Sequence, residues 1–177
     1  MSVNEWSDAT AMAEAVRNKT VSPRELVKDT ISEAERTNPK INAIVNQRYE
    51  KALVEAETRD FSDKPFAGVP IFLKDLGQEQ AGEPSTAGSR LFTSYRAKET
   101  DNYVKKLEEL GFIILGRSSN PEFGFKNISD AQIHGPVNLP DDVRRNAGGS
   151  SGGAAALVSS GISPLAPASD GGGSIRI

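Results

Sequence analysis

Residues 147–177, AGGSSGGAAALVSSGISPLAPASDGGGSIRI, contain two clusters of glycine and serine separated by a stretch of small residues. Glycine clusters form phosphate loops, allow a backbone to approach a substrate closely, or make simple turns. Neither cluster has the Gly-Lys-Ser/Thr ending of a phosphate loop or the G-x-G-x-x-G spacing of a dinucleotide loop. The clusters therefore argue against both kinds of nucleotide site.

The first cluster also matches G-x-S-x-G, the nucleophile elbow of α/β-hydrolases, with Ser150 or Ser151 at its centre. That arrangement needs a histidine later in the chain, whereas the single histidine, His134, precedes both serines. The neighbours of His134, AQIHGP (131–136), include no carboxylate to orient an imidazole. We interpret His134 as a loop residue, and the elbow is rejected within this sequence.

A serine nucleophile without histidine needs another base, and lysine is the usual substitute because a neutral amine accepts the hydroxyl proton. Lysine does so at neutral pH only where burial or a cationic neighbour lowers its pKa from about 10.4. Lys74 follows the apolar run GVPIFL (68–73), which predicts a buried strand. Lys74 is thus the candidate base, and a structural ion pair with Asp75 is the alternative.

The second cluster, SDGGGSIR (169–176), places consecutive glycines directly before a serine. Successive N–H groups of such a segment can point into one concavity, because no Cβ atom stands in the way. An oxyanion hole requires this arrangement, and a serine at its edge is positioned to attack a carbonyl group. A flexible glycine tail is the alternative interpretation. The residues concerned are Gly171, Gly172, Gly173 and Ser174.

Helical periodicity and capping residues dominate the N-terminal third of the sequence. Ser7 is predicted to cap a helix over 8–18, and Ser22, Pro23 and Glu25 form a capping box before a second helix. Further along we predict a strand at 41–45, a helix at 47–60, a strand at 68–76, a Thr100-capped helix stopped by Gly111, a strand at 112–115, a helix at 151–160 and a strand at 162–169 ending at Asp170. Segments 77–92 and 127–149 are predicted loops. This order indicates an α/β fold, with N-terminal helices followed by alternating strands and helices.

Composition narrows the function further. The 177 residues carry a net charge of −3 and are 25% charged and 37% hydrophobic, which is ordinary for one domain and predicts no nucleic-acid partner. Cysteine is absent and histidine occurs once, so disulfides and clusters of cysteine or histidine metal ligands are excluded. No signal peptide or membrane-spanning stretch is evident, and we expect a cytoplasmic protein without a membrane partner.

Five motifs, taken in their order and spacing, resemble the N-terminal half of the amidase signature family. They are GVPIFLKD (68–75), STAGSRLF (85–92), NPEFGF (120–125), AGGSSGGAAALVSSG (147–161) and SDGGGSIRI (169–177). The resemblance covers 5–177. It implies a mixed sheet flanked by helices, hydrolysis of a small-molecule amide substrate, and no cofactor or metal.

The resemblance also implies a role for each site residue. Ser174 would be the nucleophile, Ser150 the relay serine in a cis peptide bond, and Lys74 the base. Backbone N–H groups at Gly171, Gly172 and Gly173 would bind the oxyanion. Ser151, Asp170 and Arg176 would support the site.

Two features depart from the family pattern. The segment NLPDDVRRNAGG (138–149) stands where the family commonly has an Asn-Pro-Trp-Asp stretch. The family core is also much longer, so we expect residues 1–177 to be the N-terminal part of a single amidase domain, truncated just after the nucleophile and impaired in activity. The remaining half would then be lost or supplied as a separate chain. The alternatives are a non-catalytic remnant or interaction module, and the amidase subunit of a tRNA-dependent amidotransferase.

Overall fold

The computed structural model describes residues 8–177 and has a mixed α/β architecture. The helices are α1 (Ala9–Arg17), α2 (Pro23–Ile41), α3 (Tyr49–Thr58), α4 (Asn102–Glu109) and α5 (Gly152–Ser159). The strands are β1 (Ile44–Gln47), β2 (Pro70–Lys74), β3 (Ile113–Ser118), β4 (Asp130–Ala131) and β5 (Gly135–Pro136). Short 3₁₀ turns occur at Arg90–Phe92 and Glu122–Gly124. The predicted α/β class is confirmed.

The main sheet has three strands in the order β1-β3-β2. Strand β3 is parallel to β2 and antiparallel to β1, so the sheet is mixed, as predicted. Helix α4 lies in the connection between β2 and β3, because parallel neighbours need a crossover. Every residue of β2 and β3 is buried, which is typical of strands covered on both faces.

Two apolar clusters pack on opposite faces of this sheet. Side chains alternate between faces along a strand, and accordingly Ile71 and Leu73 join one cluster while Phe72 joins the other. The apolar cluster around Ile71 also contains Met12, Leu26, Val104 and Ile114. The apolar cluster around Phe72 also contains Val27, Ile41, Ile113, Leu115 and Leu157. Helices therefore flank both faces, and the Lys74 end of β2 lies in the protein interior.

The capping box of α2 is confirmed. The Ser22 hydroxyl accepts from the Glu25 N–H at 3.2 Å, and the Glu25 carboxylate accepts from the Ser22 N–H at 2.8 Å. Helix α1 is capped by Asp8, whose carboxylate accepts from the Ala11 N–H at 2.8 Å. The predicted cap, Ser7, lies outside the described residues, and the cap belongs to the residue after it.

The predicted Thr100 cap of α4 is wrong. Asp101 holds the N-cap position, and neither residue caps the helix with its side chain. The Thr100 hydroxyl instead accepts from the Ala81 N–H at 3.0 Å, and the Asp101 carboxylate accepts from the Glu79 N–H at 2.7 Å. Both side chains therefore anchor the loop that follows β2. Gly111, with φ +101°, follows the last turn of α4 as predicted.

The predicted strand at 162–169 is also wrong. This segment has an irregular backbone and pairs with no strand within residues 8–177. Pro164 and Pro167 lack the N–H groups that a ladder needs, and the Ser163 hydroxyl donates to the Leu165 carbonyl at 2.7 Å. Strands β4 and β5 form a small hairpin inside a segment that we predicted as loop. Across residues 8–177, none of the helices combines the length and apolar character needed to span a membrane.

Candidate active site

Lys74 ends β2 and is completely buried. Its Nζ atom donates to three hydroxyl oxygens, those of Ser150 at 2.8 Å, Ser151 at 3.0 Å and Ser169 at 2.9 Å. An ammonium group has three N–H donors, so these hydroxyls satisfy the charged form in full. The ion pair with Asp75, which was the alternative interpretation, is not formed, because Asp75 bonds elsewhere.

Burial lowers the pKa of Lys74 to about 8, against the opposing effect of the negative charge on Asp170. Desolvation disfavours the ammonium form, and the hydroxyl ligands are neutral. At pH 7 a lysine with this pKa is neutral in about a tenth of the molecules. Lys74 can therefore accept a proton near neutral pH, as a general base must.

Ser150 and Ser151 lie at the start of α5, and both are buried. The Gly149–Ser150 peptide bond is cis. Ser151 connects three segments, because its Oγ accepts from Lys74, its hydroxyl donates to the Ser169 carbonyl at 3.1 Å, and its N–H donates to the Ser174 carbonyl at 3.0 Å. The serines of the first glycine-serine cluster thereby contact both Lys74 and the second glycine-serine cluster.

Close backbone packing explains the glycines around these serines. A Cβ atom on Gly149 would lie 2.9 Å from the Ile128 carbonyl carbon, and one on Gly153 would lie 2.4 Å from the Ser119 carbonyl oxygen. Both contacts are with main-chain atoms, which cannot move aside. These glycines permit α5 to begin against neighbouring backbone, and this close approach brings Ser150 to Lys74.

Asp170 organises the second glycine cluster. Its carboxylate accepts from the Gly173 N–H at 2.8 Å and the Ile175 N–H at 3.2 Å. The Arg176 guanidinium donates to both carboxylate oxygens, at 2.9 and 2.8 Å, and this hydrogen bonding lowers the pKa of Asp170 well below its ordinary value. The structure thus brings the two predicted supporting residues together across the glycine loop.

The main-chain N–H donors of the predicted oxyanion hole, at residues 171–174, divide into two groups. The Gly173 N–H is directed to Asp170, whereas the N–H groups of Gly171, Gly172 and Ser174 have no acceptor in the described part of the chain. Gly171 and Gly172 are exposed to solvent. The donors free to bind an oxyanion are therefore those of Gly171, Gly172 and Ser174.

A cleft of about 630 Å³ joins these parts. Ser150, Ser169 and Ser174 line its polar side, and Phe123 and Phe125 line an apolar side. Within residues 8–177, no hydrogen bond connects the hydroxyls of Ser150 and Ser174, although both line the cleft. Catalytic hydrogen bonds are often long before substrate binds. The cleft thus brings three serine hydroxyls and the glycine loop together, and the buried Lys74 amine lies behind it, bonded to Ser150 and Ser169.

Ser169 is a site residue that we did not predict. It lies 95 positions from Lys74 in the sequence, yet its hydroxyl is one of the three lysine ligands. The available signal was its place directly before Asp170 and the glycines, where a hydroxyl would face the same loop.

His134 differs from the expectation in one respect. A carboxylate does lie near it, because Nε2 is 3.9 Å from the Asp75 carboxylate and 3.2 Å from the Thr86 hydroxyl. Asp75 is distant in sequence, so the local neighbours gave no sign of it. Burial lowers the pKa of His134, and burial raises the pKa of Asp75. His134 makes no hydrogen bond to Lys74 or to the cleft serines among the described residues.

Comparison with known proteins identifies the family of this chain. The sequence model of the Amidase family matches residues 25–177. The chain belongs to the amidase family. It is 43% identical to the lipoamidase of Enterococcus faecalis over 98% of this chain and 24% of that protein. It is 35% identical to a glutamyl-tRNA(Gln) amidotransferase subunit of Nitratidesulfovibrio vulgaris (strain DP4) over 94% of this chain and 35% of that protein.

The solved structure of 6-aminohexanoate cyclic dimer hydrolase superimposes with a TM-score of 0.92 and 36% identity, covering 98% of this chain and 35% of that one. The resemblance inferred from the five motifs is therefore confirmed, and so is the amidase-signature fold. The chain spans about a quarter to a third of the length of these relatives.

Proposed function

We propose that the protein hydrolyses carboxylic amides through a seryl acyl-enzyme, with Ser174 as nucleophile, Ser150 as relay and Lys74 as base. The observation that carries the proposal is the buried Lys74 amine, with its pKa lowered to about 8, bonded to Ser150 beside the cleft that Ser174 lines. The family relatives with amidase and hydrolase names support the same reaction class.

The first step transfers a proton along the serines. Neutral Lys74 accepts the Ser150 proton across the 2.8 Å hydrogen bond, while Ser150 accepts the proton of Ser174. The Ser174 oxygen then attacks the amide carbonyl carbon and forms a tetrahedral oxyanion. This step requires the two serine hydroxyls to come within hydrogen-bond distance once substrate occupies the cleft.

Main-chain N–H groups stabilise the oxyanion. The free donors at Gly171, Gly172 and Ser174 are fixed groups, and loss of one such donor costs about 10²–10³ in rate. The Asp170–Arg176 pair holds the loop from its other side and consumes the Gly173 donor. We therefore assign the oxyanion to the other three N–H groups.

The second half of the reaction returns the proton. The tetrahedral intermediate collapses, the C–N bond breaks, and the leaving amine takes the proton from Lys74 through Ser150. Water then adds to the Ser174 ester, with the same lysine as base, and releases the carboxylic acid. No cofactor enters this sequence of steps.

The test is covalent labelling by a serine-directed fluorophosphonate. We expect the wild-type protein to take up one phosphonyl group on Ser174, located by peptide mass spectrometry, and Ser174→Ala to take up none. Lys74→Met should label far more slowly, whereas Ser94→Ala, at an exposed serine, serves as the matched control. Equal labelling of Ser174→Ala and wild type would refute the proposal. No labelling of the wild type would favour a non-catalytic interaction module instead.

We further propose that residues 1–177 form the N-terminal part of a single amidase domain, and the coverage of about a third of the relatives supports this. The likeness to an amidotransferase subunit favours a second candidate function, the amidase subunit of a tRNA-dependent amidotransferase, which would need a glutaminase partner or channel. Amidation that depends on added ammonia would support this candidate. Hydrolysis of simple amides without any such amidation would support the amidase.

A further inference from the structure

A small, half-open cavity lies beside the sheet, away from the cleft. It has a volume of about 10 Å³ and is bounded by β1, β3 and the loop after β2. A cavity of this size accommodates about one water molecule, provided that polar groups line it. The polar lining consists of Asn46, Gln47, Arg48, Gln80, Glu83 and Arg117.

Two buried donors in this lining have no acceptor. Arg117 is almost fully buried, and its Nη2 atom is unpartnered, as is the Nδ2 atom of Asn46. The two residues are direct partners in the register of β1 and β3, so their side chains lie on the same face of the sheet. A buried donor left without a partner is destabilising, and two on side chains that line one cavity indicate a missing acceptor.

We propose that this cavity binds one internal water molecule, which accepts from Arg117 Nη2 and Asn46 Nδ2 and thereby fixes Arg117 as a positioning residue for Lys74. The water has two lone pairs for these donors, and its hydrogens remain for the Glu83 carboxylate on the same cavity wall.

Charge favours water over a small anion at this site. The lining has two arginines, and both already face carboxylates. Arg48 pairs with Glu55 and Glu83. The charges of Asp75, Glu79, Glu83 and Asp101 act on Arg117, against the effect of burial on its pKa. Another anion would add repulsion from these carboxylates, whereas a neutral molecule satisfies the donors without it.

The link to Lys74 is a main-chain contact. Arg117 Nη1 donates to the Lys74 carbonyl oxygen at 3.0 Å, and Arg117 Nε lies 3.9 Å from the Asp75 carboxylate. A guanidinium group is planar, so an acceptor at Nη2 restricts the direction of Nη1 as well. The water therefore helps to hold the last peptide of β2, from which the Lys74 side chain extends. This part of the proposal rests on the proposed function.

Crystallography tests the water directly. A high-resolution structure of the wild-type protein should have an isolated density peak about 2.7–3.2 Å from both Arg117 Nη2 and Asn46 Nδ2. Crystals soaked in bromide should have no anomalous signal at this position. A cavity without density, or one occupied by bromide, would overturn the assignment of water.

Labelling kinetics test the positioning role. Arg117→Lys keeps the charge but cannot bond both the Lys74 carbonyl and the water, and we expect fluorophosphonate labelling to slow about tenfold or more, because misplacement of a catalytic group is costly. The pH midpoint of labelling should also move, which a general loss of stability would not cause.

Asn46→Leu, which fills the cavity and displaces the water, should change the midpoint in the same direction as Arg117→Lys. If it fails to fold, Asn46→Val replaces it, because this smaller apolar side chain also removes the Nδ2 donor. Folded variants with the wild-type pH profile would overturn the positioning role. A wild-type protein that does not label at all would refute the proposed function instead, and the crystallographic result on the water would stand separately.

Discussion

Replacement of Lys74 by methionine provides a quantitative test of its lowered pKa. The side chain is completely buried, and the substitution keeps a similar length while removing the titrating amine. Methionine also removes the donor to Ser150, Ser151 and Ser169. That loss contributes a nearly constant offset in stability, so the dependence of the stability difference on pH isolates the amine itself.

The expected magnitude follows from the two pKa values. The amine titrates at about 8 in the folded protein and at its ordinary value of 10.5 in the unfolded chain. Between these values the unfolded chain holds the proton and the folded protein does not, so the free energy of unfolding rises with pH. At about 1.4 kcal/mol per pH unit, the wild type gains about 3 kcal/mol relative to Lys74→Met. The destabilisation is fully present below about pH 8 and is relieved toward pH 10.5.

Urea unfolding of both proteins at pH 7, 8, 9 and 10 measures this difference, and the titration of all other groups cancels in the comparison. Lys105→Met, at an exposed position on α4, is the matched control for loss of a lysine. A stability difference between wild type and Lys74→Met that stays constant from pH 7 to pH 10 would refute the lowered pKa. The interpretation of Lys74 as a base available near neutral pH would then lose its physical support.

Three further predictions concern the same site. The rate of fluorophosphonate labelling should rise with pH around a midpoint near 8, because Lys74 must be neutral to accept a proton; a flat profile between pH 6.5 and 9.5 would contradict this. Ser169→Ala removes one acceptor from the ammonium form, which lowers the pKa of Lys74, so the midpoint should move to lower pH, and an unchanged or higher midpoint would count against the contact. Gly153→Ala would place a Cβ atom 2.4 Å from the Ser119 carbonyl oxygen and should destabilise by about 1–3 kcal/mol or more, whereas Gly171→Ala, with nothing within 4 Å, should leave the thermal midpoint unchanged.

Features set by near neighbours were predictable from the sequence. The capping box at Ser22 and Glu25 involves residues three positions apart, and the buried strand β2 follows from an uninterrupted apolar run. The mixed sheet and the amidase-signature fold followed from five motifs in a characteristic order, which carry more information than any one of them. In each case the deciding pattern is contained in the sequence itself.

Features set by distant contacts were not predictable. Thr100 has the residue type of a helix cap, but its hydroxyl bonds Ala81, 19 positions earlier. Residues 162–169 have an apolar pattern, but the prolines remove the donors that pairing requires. Local propensity is a weak influence, and a tertiary partner that satisfies the same polar group overrides it.

The candidate site combines residues that the sequence predicts with contacts that only the fold provides. Lys74 and Ser150 are 76 positions apart, and their residue types made them candidates, but only the fold gives the 2.8 Å contact between them. Ser169 was missed because its one signal, a place directly before Asp170 and the glycines, does not show that its hydroxyl contacts Lys74. The assignments of base, relay and nucleophile remain predictions, and the labelling experiment tests them.

Asp170 illustrates why a glycine nest cannot be interpreted by counting glycines. A nest offers several N–H donors, and a nearby carboxylate competes with the substrate for them. Asp170 accepts from the Gly173 N–H. The donors that have no acceptor among residues 8–177 lie on either side of Gly173, at Gly171, Gly172 and Ser174. The same carboxylate opposes the effect of burial on the pKa of Lys74. One residue therefore acts on both parts of the proposed chemistry. It leaves the other N–H groups of the loop for the oxyanion, and its charge keeps Lys74 more basic than burial alone would, which favours removal of the serine proton.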